Sequence, residues 1–175
     1  IEYETLFRGV LPVLEQFGGP LPLGGTSNHF RTRVLRQAGE WDPWNVTEDA
    51  DLGIRLARLG YACGTLTLPT WEEALSRTGT WLRQRTRWLK GWIQTILVHS
   101  RNPGAMLREI GWRRMALFHL VLTSIVVSAL SHPIFLVVFV LEAFAAASGT
   151  ATQLSQRLLF ALAAFNLAAG YTTYA

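Results

Sequence analysis

Three side chains in the middle of the chain have the types and spacing of a site for a sugar phosphate. Gln84, Arg87 and Trp88 stand at positions i, i+3 and i+4, so a helix places them along one edge. A guanidinium binds phosphate in bidentate fashion, an amide adds hydrogen bonds, and an indole stacks on the apolar side of a sugar ring. Gly91 leaves room beside them. This edge therefore suits a sugar diphosphate next to an acceptor sugar.

A second candidate group is the acidic cluster that follows Thr47. Glu48, Asp49 and Asp51 fall in the first turn of a predicted helix, where the dipole stabilises each carboxylate by about 0.3–1 kcal/mol. Three acids in four positions are more than capping needs, and their repulsion raises the pKa of at least one of them. A raised pKa is what a general base requires near neutral pH.

Hydrophobic periodicity and turn residues indicate the elements that must position both groups. Helices are predicted where apolar residues recur at helical spacing, over residues 3–17, 32–38 and 47–59. Strands are predicted just before the tight turn at Gly24 and Gly25, and over residues 61–69. This mixture of helices and strands predicts an α/β fold for residues 1–80.

The helix that begins at Trp81 is amphipathic. Tryptophan, leucine and isoleucine side chains share one broad face, and the opposite face carries Arg83, Arg87 and Lys90. A basic, tryptophan-rich helix of this kind lies along a membrane surface. Residues 81–112 are therefore predicted to form a membrane-interface region.

The last part of the chain, residues 113–175, is predicted to be a transmembrane region. Residues 115–147 are almost wholly apolar, and residues 156–175 predict a further span. One straight helix over residues 115–147 would be about 50 Å long, whereas the hydrocarbon core is about 30 Å thick. Pro133 interrupts this stretch, which leaves open one kinked span or two short helices.

Charge and cysteine content narrow the class of protein. The net charge of +4 arises from 16 basic and 12 acidic side chains, and eight of the basic ones lie between Arg83 and Arg114. This bias predicts a multi-pass protein of the cell membrane with a cytoplasmic soluble part. The basic residues alternate with membrane-facing tryptophans and no nucleic-acid motif occurs, so nucleic acid is not an expected partner. The lone Cys63 excludes a disulfide within the chain.

The two candidate groups together resemble a known family. Thr47-Glu48-Asp49, followed by Gln84-Arg85-Thr86-Arg87-Trp88 ahead of an apolar region, is similar to the TED and QxxRW motifs of membrane-embedded family-two glycosyltransferases, such as cellulose synthase and hyaluronan synthase. The resemblance implies the C-terminal half of a GT-A-type domain, followed by an interface helix and transmembrane helices.

The same resemblance implies roles for single residues. Asp49 would be the catalytic base that takes the proton of the acceptor hydroxyl. Gln84 and Arg87 would hold the nucleotide diphosphate, and Trp88 would stack on the acceptor sugar. Thr47 and Glu48, the rest of the TED motif, would belong to the substrate-binding set. His29 is a further candidate for approaching the acceptor, although a satisfied loop histidine is the favoured interpretation.

The chain also departs from the family pattern. No DxD motif for a divalent metal can be assigned, because Asp49-Ala50-Asp51 lies inside the predicted helix. The chain runs from Ile1, which is not a methionine, to Ala175 within an apolar run, so we expect a piece of a longer protein. Mg²⁺ or Mn²⁺ is expected in the full-length enzyme, with ligands mostly outside these residues, and the piece alone is expected to be inactive.

Two hypotheses of different class follow. In the first, the chain is part of an inverting glycosyltransferase that moves a sugar from a nucleotide-sugar donor to a glycan or lipid acceptor at the cytoplasmic membrane face. In the second, it is a membrane-anchored scaffold whose basic helix binds lipid and whose acids only cap a helix. Membrane lipid is an expected partner in both.

Overall fold

A computed structural model describes residues 4–148 and 154–174 of the chain. A π-helical segment, Thr5–Val10, leads directly into the first α-helix, and a second one, His119–Thr123, connects α5 to α6. The α-helices are α1 (Leu11–Gln16), α2 (Thr32–Gln37), α3 (Glu48–Arg58), α4 (Thr78–Ser100), α5 (Pro103–Phe118), α6 (Ser124–Ala147) and α7 (Leu154–Tyr174). The chain divides into two compact units between Ser124 and Ile125.

The prediction of an α/β fold is wrong, because the described residues contain no β-strand. Both segments predicted as strands, the one before Gly24 and residues 61–69, are irregular chain. A strand is stable only when its backbone groups pair with a neighbouring strand. Alternating residues in the second segment gain no burial either, since Leu66 is 70% exposed and Leu68 is 80% exposed. The GT-A-type domain that the resemblance implied is therefore not the fold of these residues.

The core of the first unit forms where α3, α4 and α5 meet. Its fully buried side chains come from α3, α5 and the π-helical segment after α5, and they are Ile54, Met106, Ile110, Phe118 and Leu122. Ile96 of α4 packs against this cluster. Burying a side chain of this size stabilises a fold by about 1.5–3 kcal/mol. The cluster therefore holds the three helices together.

The helix α3 is buried on two faces rather than one. Ile54 belongs to the cluster shared with α5, whereas Leu52 and Leu56 pack in a separate cluster with Ala38, at the end of α2. The backbone of α3 also touches the chain at Leu21, because a Cβ built on Gly53 would lie 1.9 Å from the Leu21 carbonyl oxygen. Such packing on several sides makes α3 the central element of this unit.

A tight connection returns the chain from α4 to α5. The Asn102 side chain caps α5 by accepting a hydrogen bond of 3.0 Å from the Ala105 backbone N–H, and Pro103 occupies the first turn. Gly111 then adopts φ 76°, a left-handed conformation that glycine tolerates, and divides α5 into two helical parts. Both parts contribute side chains to the core with α3.

The second unit contains α6 and α7. Phe139 of α6 stacks on Phe160 of α7, with ring centroids 5.1 Å apart. The alternatives left open at Pro133 are decided in favour of one continuous helix, since α6 runs through this proline.

Among the described residues, one helical stretch is long and apolar enough to cross a membrane. It covers Pro103–Ala147, by length and composition only. The apolar part of α7, Arg157–Asn166, is shorter than a span requires. The expectation of several transmembrane helices is therefore not met in the part of the chain that the structure describes.

Candidate active site

The site residues predicted from the TED motif lie at the beginning of α3. Thr47 precedes the helix, and Glu48 and Asp49 are its first two residues. The Asn45 side-chain oxygen accepts a hydrogen bond of 3.0 Å from the Thr47 backbone N–H. The Asp49 carboxylate in turn accepts a hydrogen bond of 2.8 Å from the Ala50 N–H. These bonds fix the first turn, so that the direction of each acid is defined.

Asp49 lies in the first turn of α3 and has a raised pKa, as a general base near neutral pH requires. Its carboxyl is half-buried, and burial raises its pKa above the ordinary 3.8, an effect to which the neighbouring charge of Glu48 adds. The Ala50 hydrogen bond and the positive charge of Arg87 act in the opposite direction without cancelling the rise. The pKa of one acid in the cluster is thus raised, but burial is the largest cause, whereas the sequence predicted repulsion between the acids.

The glycine turn borders this carboxylate. A Cβ built on Gly25 would lie 3.3 Å from Oδ2 of Asp49. A larger side chain at this position would press on the acid, so the turn keeps the approach to Asp49 open. His29, four residues further on, is exposed, and its ring Nδ1 lies 3.0 Å from the Ser27 carbonyl oxygen. Of the two interpretations of His29, the loop contact is the one that the geometry supports.

One stripe of α4 faces the beginning of α3, and we call it the inner stripe. Its members recur every four residues, and they are Arg87, Gly91, Thr95 and His99. The last three are the buried residues of this helix. Each member has a counterpart in the region that leads into α3 or in α3 itself.

Gly91 and Thr95 bring the two elements into contact. A Cβ on Gly91 would lie 2.3 Å from Oγ1 of Thr47, so the glycine allows Thr47 to lie against the backbone of α4. Thr95 accepts a hydrogen bond of 3.1 Å from the Asn45 side-chain nitrogen. The space at Gly91 that the sequence assigned to a ligand is therefore filled by the buried Thr47, whose side chain serves helix packing.

The QxxRW residues lie on the same helix, at the exposed end of the inner stripe. Arg87 is exposed and near enough to Asp49 for its charge to lower that acid's pKa. Gln84 is half-buried one turn earlier. Of the six predicted site residues, Asp49 on α3 interacts electrostatically with Arg87 on α4, and Thr47 lies against α4 at Gly91.

Trp88 has one ring face already occupied. The guanidinium carbon of Arg85 lies 4.2 Å from the centroid of the Trp88 ring and 5.6 Å from that of Trp81. Contacts of this geometry are cation–π interactions. Trp92 lies beside Trp88 with its centroid 6.2 Å away. An acceptor sugar that stacks on Trp88 must therefore use the other face or displace Arg85.

Sequence reasoning missed a buried polar network behind the site. Asp51 is 3% exposed and His99 is 2% exposed, and Oδ1 of Asp51 lies 2.9 Å from Nε2 of His99. The other carboxylate oxygen accepts a hydrogen bond of 2.6 Å from Nε of Arg55. Burial acts to raise the pKa of Asp51, but these two partners outweigh it and lower the pKa. The only local signal was a histidine four residues after Thr95 in an otherwise apolar run.

The described residues do not fit the divalent metal that the resemblance implied. No three His, Cys, Asp or Glu side chains among them converge as a metal site requires. Asp49 and Asp51, which spell a DxD-like pair, lie on nearly opposite sides of α3 because they are two residues apart. Asp51 is moreover held by His99 and Arg55.

Comparison with known proteins identifies a family. Residues 5–171 match the family described as glycosyl transferase family group 2. The chain is 37% identical over 68 residues to a probable glycosyltransferase, YdaM, of Bacillus subtilis (strain 168), which covers 38% of this chain and 16% of that protein. No solved structure is significantly similar.

Two further relatives are synthases. The chain is 30% identical over 105 residues to the cellulose synthase 1 catalytic subunit (UDP-forming) of Komagataeibacter xylinus, covering 59% of this chain and 14% of that one. It is 32% identical over 98 residues to the beta-monoglucosyldiacylglycerol synthase of a Synechocystis strain, covering 55% of this chain and 20% of that one. The chain thus spans a fifth or less of the length of these curated relatives.

Proposed function

Because the chain belongs to glycosyl transferase family group 2, we propose that it is part of an inverting hexosyltransferase. In this proposal a nucleotide-sugar donor gives its sugar to a glycan or lipid acceptor at the cytoplasmic face of a membrane. The residues described here supply the catalytic base and part of the diphosphate site. The remainder of the full-length enzyme supplies the nucleotide site and any metal ligands.

The observation that carries the proposal is the position of Asp49. A half-buried carboxylate with a raised pKa stands at the head of α3, within the electrostatic reach of Arg87 on α4. In the proposed reaction Asp49 accepts the proton of the acceptor hydroxyl. The hydroxyl oxygen attacks the anomeric carbon at the same time. The bond from that carbon to the diphosphate breaks in the same step, so the configuration inverts.

Arg87 and Gln84 are proposed to hold the leaving diphosphate. Negative charge develops on the diphosphate oxygen as the glycosidic bond breaks, and an exposed guanidinium neutralises it with bidentate hydrogen bonds. The same guanidinium lies near Asp49. The proposed base on α3 and the proposed diphosphate-binding group on α4 are thus near enough to interact electrostatically.

The relatives' names support the substrate classes. One is named as a UDP-forming cellulose synthase and another as a monoglucosyldiacylglycerol synthase. For this chain we therefore propose a hexose donor activated by a nucleoside diphosphate. The acceptor is either a growing glycan or a membrane lipid, and the helical stretch Pro103–Ala147 supports a site close to the membrane.

The test is the Asp49→Asn variant of the full-length enzyme, assayed with UDP-glucose as the donor. We expect turnover to fall by about a hundredfold or more, since general acid–base catalysis contributes about 10²–10⁴-fold. Binding of UDP, measured by calorimetry, is expected to survive. The control is Glu73→Gln, an exposed acid outside the site. Normal turnover of the Asp49→Asn variant would show that Asp49 is not the catalytic base.

The lipid-binding scaffold is the alternative, and the tryptophans of α4 favour it. The guanidinium of Arg85 lies over the rings of both Trp81 and Trp88. The two tryptophans therefore have a partner within the helix and do not require a sugar to explain them. A scaffold predicts equal effects for substitutions at the QxxRW edge and at the solvent face. Comparing donor turnover of Arg87→Gln with that of Arg83→Gln separates the two functions, since only a transferase loses activity selectively at Arg87.

A further inference from the structure

A chain of polar side chains connects three helices behind the candidate site. Asp51 of α3 contacts His99 of α4 through Oδ1 and Nε2, 2.9 Å apart. Nδ1 of His99 lies 3.1 Å from Nη1 of Arg58, the last residue of α3. Nε of Arg58 donates a hydrogen bond of 2.5 Å to Glu109 of α5. None of these groups has a role in the proposed chemistry. Asp51 and His99 are nevertheless so deeply buried that each needs the other as a hydrogen-bond partner.

The partners of His99 indicate the hydrogen-bonding roles of its two ring nitrogens. Arg58 has only donors, so Nδ1 of His99 must accept. Asp51 also faces Arg55 at 2.6 Å, and an ionised carboxylate has only acceptors, so Nε2 of His99 must donate. The rings of Phe118 and His99 meet edge to face, with centroids 6.1 Å apart.

Helix geometry links this bond to the direction in which Asp49 faces. Residues two apart on a helix lie about 200° apart around its axis, at 3.6 residues per turn. Holding Asp51 inward against His99 therefore turns Asp49 outward, towards Arg87 and the Gly25 turn. The contacts of Gly91 and Thr95 set how closely α3 approaches α4. The Asp51–His99 bond adds a directional polar contact to the apolar packing that holds α3 on two sides.

From this geometry we infer that His99 is a positioning residue for Asp49, acting through Asp51. The inference rests on the proposed function, since it assigns His99 to the base of that reaction. His99 touches neither donor nor acceptor. Its loss removes the polar contact that orients the first turns of α3, so the Asp49 carboxylate shifts slightly relative to the acceptor hydroxyl. This shift lowers kcat while the diphosphate site on α4 stays intact.

Two substitutions of His99 separate the contact to Asp51 from the contact to Arg58. In His99→Gln the amide nitrogen reaches the place of Nε2 and donates to Asp51. In His99→Asn the shorter side chain reaches only the place of Nδ1, so its oxygen accepts from Arg58 and Asp51 loses its partner. Val98→Ala is the matched control, because Val98 is the adjacent residue on α4 and is exposed.

The measurement is turnover of UDP-glucose per UDP-binding site, with sites counted by calorimetry in the full-length enzyme. We expect kcat of His99→Asn to fall by about ten- to a hundredfold, since small misplacements of reacting groups have effects of this size. The donor KM is expected to stay within about threefold. His99→Gln and Val98→Ala are expected to keep kcat within the same threefold margin.

The outcomes that overturn the inference are distinct. If His99→Asn loses binding sites but each remaining site turns over normally, His99 stabilises the fold and does not position the base. Equal kcat for His99→Asn and His99→Gln also overturns it. Failure of the proposed function has another signature, which is normal turnover of Asp49→Asn whatever the His99 variants do.

Discussion

At the scale of single residues, the acidic cluster separates into two roles. Asp49 is half-buried with a raised pKa, whereas Asp51, two residues on, is buried with a lowered one. The difference arises from their partners, because Asp51 contacts His99 and Arg55, whereas Asp49 is half-buried beside Gly25 and interacts electrostatically with Arg87. The sequence indicates that one acid has a raised pKa. Which acid it is depends on partners more than 30 residues away, such as Arg87 and His99, which local spacing does not identify.

The pH dependence of catalysis tests the surroundings of Asp49. Its raised pKa predicts an acidic limb of kcat/KM above the 3.8 of an ordinary aspartate. Arg87→Gln removes a positive charge that favours ionisation, so the limb moves to higher pH. Glu48→Gln removes a negative charge, so the limb moves to lower pH. Arg83→Gln serves as the control, and shifts of the same sign in the first two variants would contradict this account.

The stability of the fold in acid tests Asp51. Because its folded pKa lies below the unfolded value, ionised Asp51 stabilises the fold above the ordinary 3.8, and this contribution is lost as the pH falls through the folded pKa. At neutral pH we expect Asp51→Asn to lower the free energy of unfolding by about 1.5–3 kcal/mol, the range for hydrogen bonds to charged groups. Denaturant titrations at several pH values measure the loss, which should shrink towards acid. A constant difference across pH would contradict the ionic role.

At the scale of the elements, the helices near the site were predictable and the strands were not. The predicted helix over residues 47–59 corresponds closely to α3, because leucine spacing and Gly60 mark it locally. Residues 61–69 have a strand-like composition as well. A segment becomes a strand only by pairing with a neighbouring strand, and composition does not reveal whether such a strand exists. Residues 61–69 remain irregular.

Two glycines of α4 allow a matched test of the contact between α3 and α4. Gly91→Ala places a Cβ 2.3 Å from Oγ1 of Thr47, whereas a Cβ on Gly79 meets no atom within 4 Å. We expect Gly91→Ala to lower the free energy of unfolding by about 1–3 kcal/mol and to reduce turnover by separating Asp49 from Arg87. Gly79→Ala is expected to leave stability equal or slightly higher. Thermal unfolding and turnover of both variants measure this, and equal behaviour would refute the close contact.

At the scale of the whole molecule, the sequence correctly indicated a strongly apolar C-terminal part, in which one stretch among the described residues is long and apolar enough to cross a membrane. Composition identifies apolar stretches directly, and α6 follows from one of them. Whether Pro133 ends a helix depends on its local surroundings, and α6 continues through it. The division into residues 1–80, 81–112 and 113–175 stays a prediction.

Membrane insertion of the apolar stretch Pro103–Ala147 is open to a direct test. Val137→Arg places a charge well inside α6, and a charged residue at the centre of a spanning helix costs about 2.5–3.5 kcal/mol. We expect the inserted fraction of this helix, measured by accessibility labelling from each side of the membrane, to fall sharply. Ala147→Arg is the control, because Ala147 is the last residue of α6. An arginine there can extend its charged group to the membrane–water interface. Equal insertion of both variants would show that α6 does not span.

The burial of α3 on two sides has a consequence for how this protein tolerates change. The helix that carries Asp49 is shared by two apolar clusters, one including Ile54 and the other including Leu52 and Leu56. A cavity opened in either cluster would tilt the same helix. If Asp49 is the proposed base, substitutions at these interior positions should alter the rate before they alter solubility.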